Sequence, residues 1–157
     1  MTQPELIEGE PSARGRKIAI AAARFNELIV ASLLKGAQAC WLERGGEPRD
    51  LTVVRVPGAF ELPLAARALA LSGQLDAVVA LGCVIRGETA HFDFIAAECA
   101  RGLQRVMLDT VVPVSFGVLT VDTLAQALQR AAADSSNKGA EALETALAMA
   151  TLLRRLK

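Results

Sequence analysis

The chain contains no tyrosine, one tryptophan and one histidine, and aromatic residues make up only 4% of it. Its seventeen Lys and Arg residues are cancelled by seventeen Asp and Glu residues. Without a basic surplus or a stacking platform, there is no electrostatic footprint for nucleic acid, and that class of partner is excluded. Three cysteines, Cys40, Cys83 and Cys99, are odd in number, far apart and free of any Cys-x-x-Cys spacing. This gives neither a disulfide framework nor a zinc or other metal site, so they read as reduced core thiols. No apolar run approaches the ~18 residues of a membrane span. The segment Met1–Glu10 is acidic and lacks the apolar stretch of a signal peptide, so no membrane partner and a cytoplasmic location are expected. There is no repeat at a solenoid period, no G-x-G-x-x-G and no Walker motif.

What is present is a chain of 157 residues, 52% of them hydrophobic, which is enough for one domain with a single core. Residues 1–16 hold Pro4, Gly9, Pro11 and Gly15 around a short Leu6-Ile7 pair. They read as an N-terminal arm that joins a neighbouring subunit, with residues 17–157 as one α/β domain. Four short, largely apolar runs, Ile18–Ala23, Leu51–Val56, Ala77–Leu81 and Val112–Leu119, have the character of buried parallel strands. Helical patterns separate them: 26–43 closed by Gly45-Gly46, 60–71 closed by Gly73, and a stripe of Phe92, Ile95, Cys99, Leu103 and Val106 at helical spacing. Two more follow at 123–133, where Thr123 and Gln126 have capping-box spacing, and at 137–154. Because β-α-β crossovers are right-handed, this alternation predicts a three-layer, doubly wound sheet of four parallel strands in the order 2-1-3-4.

That order reverses the winding between strands 1 and 3, and ligands bind where the loops at the carboxyl ends diverge. Arg24-Phe25-Asn26 and the loop from Cys83 to His91 would face each other there, beside Val56-Pro57-Gly58-Ala59-Phe60-Glu61. His91, the only histidine, starts a helix and carries a ring able to take and return a proton near neutral pH. Its alternative is an ordinary surface histidine near a helix cap. Gly87-Glu88-Thr89 is a candidate phosphate cradle at that helix start, or equally a simple capping turn. Phe25, Phe60 and Phe116 are candidates for stacking on a planar heterocycle or for plain core packing. Arg130 and Lys138 are candidate anion ligands or solvated charges. At 1.5 Å per residue Arg130 lies about 10 Å along a helix running away from the crevice, so serving the same site would require a neighbouring subunit.

These blocks in order, Ala23-Arg24-Phe25-Asn26, Val56 to Pro63, Gly82 to Asp93, Phe116 to Thr120 and Asn137-Lys138-Gly139, resemble the 6,7-dimethyl-8-ribityllumazine synthases of riboflavin biosynthesis. The resemblance runs from about Lys17 to Leu153 and implies a flavodoxin-like fold. It also implies condensation of 5-amino-6-(D-ribitylamino)uracil with 3,4-dihydroxy-2-butanone 4-phosphate, without metal or cofactor. By matching position it implies that Phe25 stacks on the pyrimidine, that Asn26, Ala59, Phe60 and Glu61 surround the ribityl chain, and that Cys83, Val84 and Ile85 line the ring edge through their backbone. Gly87, Glu88, Thr89 and Arg130 would take the phosphate and His91 would shuttle protons. Phe116, Arg130 and Lys138 would come from the adjacent subunit. The resemblance further implies a homo-oligomer built from pentamers, as single or paired pentamers or as a sixty-subunit icosahedral shell, with riboflavin synthase as a candidate partner. Two departures stand out: Cys83 replaces a threonine, and Ala131 to Ser136 replaces a more glycine- and lysine-containing connection. The absence of an insertion there leans toward the shell. A non-catalytic flavin-binding or shell-forming protein of the same fold is the competing reading.

Overall fold

A computed structural model describes residues 2–157 of the chain. Four strands, β1 (Ile18–Ala23), β2 (Leu51–Val56), β3 (Ala77–Ile85) and β4 (Val114–Val121), form one parallel sheet in the order β2-β1-β3-β4. Every residue of β1 is buried, as are the first seven of β3. These central strands are covered on both faces, which is why they read as continuous apolar runs without alternation. Helices α1 (Glu27–Glu43), α4 (Leu124–Arg130) and α5 (Lys138–Arg155) cover one face, over a core that includes Ile18, Ile20, Trp41, Leu143 and Leu147. Helices α2 (Leu62–Leu71) and α3 (His91–Thr110) cover the other, over Ala21, Leu62, Val78, Cys99 and Leu103. The predicted three layers and strand order are those of the molecule.

The differences from the expected boundaries have local causes. Strand β3 runs four residues beyond Leu81, because Gly82 to Ile85 continue to pair with Val118 to Val121. Strand β4 begins two residues later than expected. Pro113 has no N–H to give a ladder, and only its carbonyl takes part, accepting from Val78 N at 2.8 Å. Helix α4 stops at Arg130 rather than Ala133, where Asp134 draws the chain into a turn by accepting from Ser136 N at 2.8 Å. The capping box forms as expected: Gln126 N donates to Thr123 Oγ1 at 3.1 Å and Thr123 N donates to Gln126 Oε1 at 3.2 Å.

Met1, the first residue of the expected arm, lies outside the described residues. Gln3 to Glu10 form no helix or strand, and Leu6 is 80% exposed. Nearer the domain the chain lies on its own helices: Arg155 donates to Glu8 O at 2.8 Å and Ala13 N to Arg44 O at 3.0 Å. Gly9 presses so closely on α5 that any Cβ there would land on the Ala148 carbonyl. No helix among the described residues is long and apolar enough to cross a membrane.

Candidate active site

Strands β1, β2 and β3 empty into one cleft of about 770 Å³, at the point where the winding reverses. Phe25, Ala59, Phe60, Glu61, Cys83, Val84, Ile85, Gly87, Thr89 and His91 all line it. Sequence reasoning thus brings ten of its candidates to one place. Phe25 and Phe60 are 72% and 57% exposed. Rings left that open cost hydrophobic free energy unless a planar ligand or a partner covers them.

The Phe25 loop is held from three sides. Arg24 N donates to Val56 O at 2.8 Å and Phe25 N to Pro57 O at 3.1 Å, extending the contact with the end of β2. Asn26 then turns into the left-handed region at φ 59° and ψ 51°, which asparagine tolerates better than most residues. Its Nδ2 donates to Cys83 O at 2.7 Å and ties the loop to β3. The Asn26 side chain is therefore committed to the scaffold through that nitrogen, and Asn26 itself is not among the residues lining the cleft.

Opposite stands the loop from Arg86 to Ala90. The N–H groups of Gly87, Glu88 and Thr89 find no acceptor among the described residues and stand on an exposed loop, open to solvent or to a ligand. His91 is the first residue of α3, and its N–H donates to Thr89 Oγ1 at 3.4 Å. Glu88 belongs to this loop without lining the cleft. At the cleft floor the Cys83 thiol is buried, and desolvation pushes its pKa up to about 11. It is a neutral wall group rather than a nucleophile.

Phe116, Arg130 and Lys138 are elsewhere. They line a separate hollow of about 400 Å³ along the outer edge of β4, with α4 and α5 behind it. Lys138 Nζ pairs with Glu141 Oε2 at 2.8 Å, Arg130 Nη1 donates to Gln126 O at 3.1 Å, and the Phe116 ring is 44% exposed. One chain therefore carries two groups of candidates and does not join them. Sequence reasoning placed Pro57 beside the crevice, where it lies, and missed Phe92 and Ile95 as cleft residues. Phe92 and Ile95 had been read only as the core stripe of α3, although the stripe's first turn overhangs the strand ends.

The profile of the 6,7-dimethyl-8-ribityllumazine synthase family matches residues 15–154. The chain belongs to this family. Among proteins bearing that name, the one from Edwardsiella ictaluri is 56% identical over 153 residues, covering 96% of this chain and 97% of the relative. Those from Chlorobium limicola and Syntrophus aciditrophicus are 50% and 48% identical, each over 98% of this chain and 99% of the relative. As a lumazine synthase family member the chain has an enzyme's expected anatomy: an apolar cleft with a few convergent polar groups at the carboxyl ends of a parallel sheet.

Proposed function

We propose that the protein condenses 5-amino-6-(D-ribitylamino)uracil with 3,4-dihydroxy-2-butanone 4-phosphate to give 6,7-dimethyl-8-ribityllumazine, phosphate and water. The observation that carries this reading is the convergence of exposed aromatic rings, unpaired loop N–H groups and the sole histidine on one cleft. Phe25 stacks on the pyrimidine. Ala59, Phe60 and Glu61, with the Asn26 turn, border the ribityl chain, and the backbone of Cys83, Val84 and Ile85 reads the ring edge. Gly87, Glu88 and Thr89 hold the phosphate against the start of α3. His91, one step along, moves protons during imine formation, phosphate loss and ring closure. Holding two substrates in one cleft removes much of the entropic barrier, and a single proton carrier adds about 10²–10⁴-fold.

The second hollow belongs to the same reaction in a different copy of the cleft. The open edge of β4 presents Phe116, Arg130 and Lys138 outward, where they complete the cleft of an adjacent subunit: Arg130 on the phosphate, Phe116 and Lys138 on the ribitylaminouracil. Large apolar side chains left exposed on α2 and α3, including Leu64, Phe94 and Leu108 at 67–75% exposure, support such an assembly. We take it to be a pentamer-based homo-oligomer working in the cytoplasm, with the shell as the favoured form and riboflavin synthase as a candidate partner.

The test is to incubate the purified protein with both substrates and follow the absorbance and fluorescence of the lumazine product. Product is expected only when both substrates are present, with one phosphate released per lumazine. Folded oligomer that yields none sinks the reading.

A further inference from the structure

Arg86 begins the phosphate loop, yet it does not line the cleft. Its backbone N–H donates to Val121 O at 2.8 Å, extending the β3–β4 ladder by one step. From there its guanidinium reaches two carboxylates on two elements. Nη1 donates to Asp93 Oδ1 at 3.1 Å, in the first turn of α3, and Nε donates to Asp122 Oδ1 at 2.9 Å, just ahead of the α4 cap. Its carbon centre also sits 4.4 Å over the ring of Phe92, which is buried and lines the cleft. The carboxylates raise the guanidinium's pKa, so the charge persists at any working pH.

We propose that Arg86 is a positioning residue for both halves of the shared site. Toward α3, the Arg86–Asp93 bridge closes the span from 86 to 93, so the loop carrying Gly87 to Thr89 and His91 is fixed at both ends. Toward α4, Asp122 precedes Thr123, whose capping box starts the seven-residue helix that ends at Arg130. One side chain thereby sets the phosphate donors of its own cleft and the arginine that the chain offers to its neighbour's cleft. Surface ion pairs in isolation contribute little. Here a planar fork shared between two carboxylates and seated on a buried ring restricts geometry, which lysine cannot reproduce.

This inference rests on the shared-site reading above, and the test separates the two. Steady-state lumazine formation is measured for wild type, Arg86→Gln, Arg86→Lys, Asp93→Asn, Asp122→Asn and the Asp93→Asn/Asp122→Asn pair, with assembly checked by native mass. Arg86→Gln is expected to lower kcat/KM for the butanone phosphate by roughly ten- to hundredfold, while the KM for ribitylaminouracil moves less than about twofold. Arg86→Lys should fail to restore it. Each Asp→Asn variant should lose part of the activity, and the pair no more than Arg86→Gln, because all three remove the same fork. Normal kinetics in Arg86→Gln, full rescue by lysine, or equal damage to both substrates would overturn the proposal. If Arg86→Gln does not assemble, the exposed Asp122→Asn variant decides alone: unchanged KM and kcat for the phosphate substrate overturn the α4 arm and the proposal with it. A wild-type protein that makes no lumazine overturns the shared-site reading first.

Discussion

On the proposed reading, His91 and Arg130 serve one reaction in different ways. His91 stands in the cleft beside an apolar floor, whereas Arg130 lines a hollow the cleft does not share. Loss of a proton carrier slows chemistry without abolishing the gain from holding both substrates. His91→Ala should therefore retain measurable turnover, reduced about 10²–10⁴-fold in kcat, with near-normal substrate KM. Loss of a guanidinium that meets a phosphate acts on binding instead. Arg130→Ala should raise the KM for the butanone phosphate by about tenfold or more while leaving that for ribitylaminouracil close to wild type. The thiols make a separate prediction. Burial raises Cys83 and Cys99 from an ordinary 9.0 to about 11. Well below pH 9, by about a unit or more, both are protonated whether the chain is folded or not. Between pH 9 and about 11 the unfolded chain gives up protons that the folded one keeps, so stability falls as pH rises through that window. Urea titrations at stepped pH should show it, and replacing both thiols by alanine should flatten that decline.

At the scale of elements, what could be read in advance was whatever depends on local periodicity. Largely apolar runs marked the strands, most continuous in β1 and β3, which are covered on both faces, and a 3-4 stripe marked α3, which is buried on one. The capping box at Thr123 was equally local. Boundaries were less legible, since the extension of β3 to Ile85 depends on a partner strand that sequence spacing does not display. The convergence of loops on the cleft could be derived from strand order. The pairing of Asn26 with the Cys83 carbonyl and the double reach of Arg86 could not, because each joins residues through side-chain direction alone. Asn137 shows the same gap. It stood in the Asn137-Lys138-Gly139 block of the resemblance with no role of its own, and in the structure it is 3% exposed, caps α5 by accepting from Ala140 N through Oδ1 at 3.0 Å, and donates from Nδ2 to the carbonyls of Ala131 and Ala132, each at 3.1 Å. Next to it, Gly139 allows α5 to cross α1 so closely that a Cβ would land on the Leu33 carbonyl. Asn137→Ala should cost about 2–4 kcal/mol, the sum of a lost cap and of buried carbonyls left unpaired. A fall in the urea midpoint at unchanged m-value is the measurement, and a shift equivalent to under about 0.5 kcal/mol would contradict this role.

For the whole molecule, the decisive property is that candidates for one reaction occupy two separate hollows of a single chain. If each working site is built from the cleft of one subunit and the β4 edge of the next, two different defects can lie on opposite sides of the same boundary. Mixed oligomers of His91→Ala and Arg130→Ala subunits should then recover activity, since some boundaries pair an intact cleft with an intact edge. Co-assembly verified by native mass with no recovery would contradict the arrangement. Such a boundary joins unlike surfaces, head to tail, and closes only if the rotation between neighbours divides a full turn.

The separation of the two hollows also has a genetic consequence. A subunit defective in both His91 and Arg130 would impair the site on each side of it, so one such chain would weaken two sites where a single defect weakens one. The double variant should act as a dominant poison when co-expressed with the wild type, and each single variant should be milder. Inheritance of a defect in this enzyme would then be governed by seating order around the assembly as much as by gene dose.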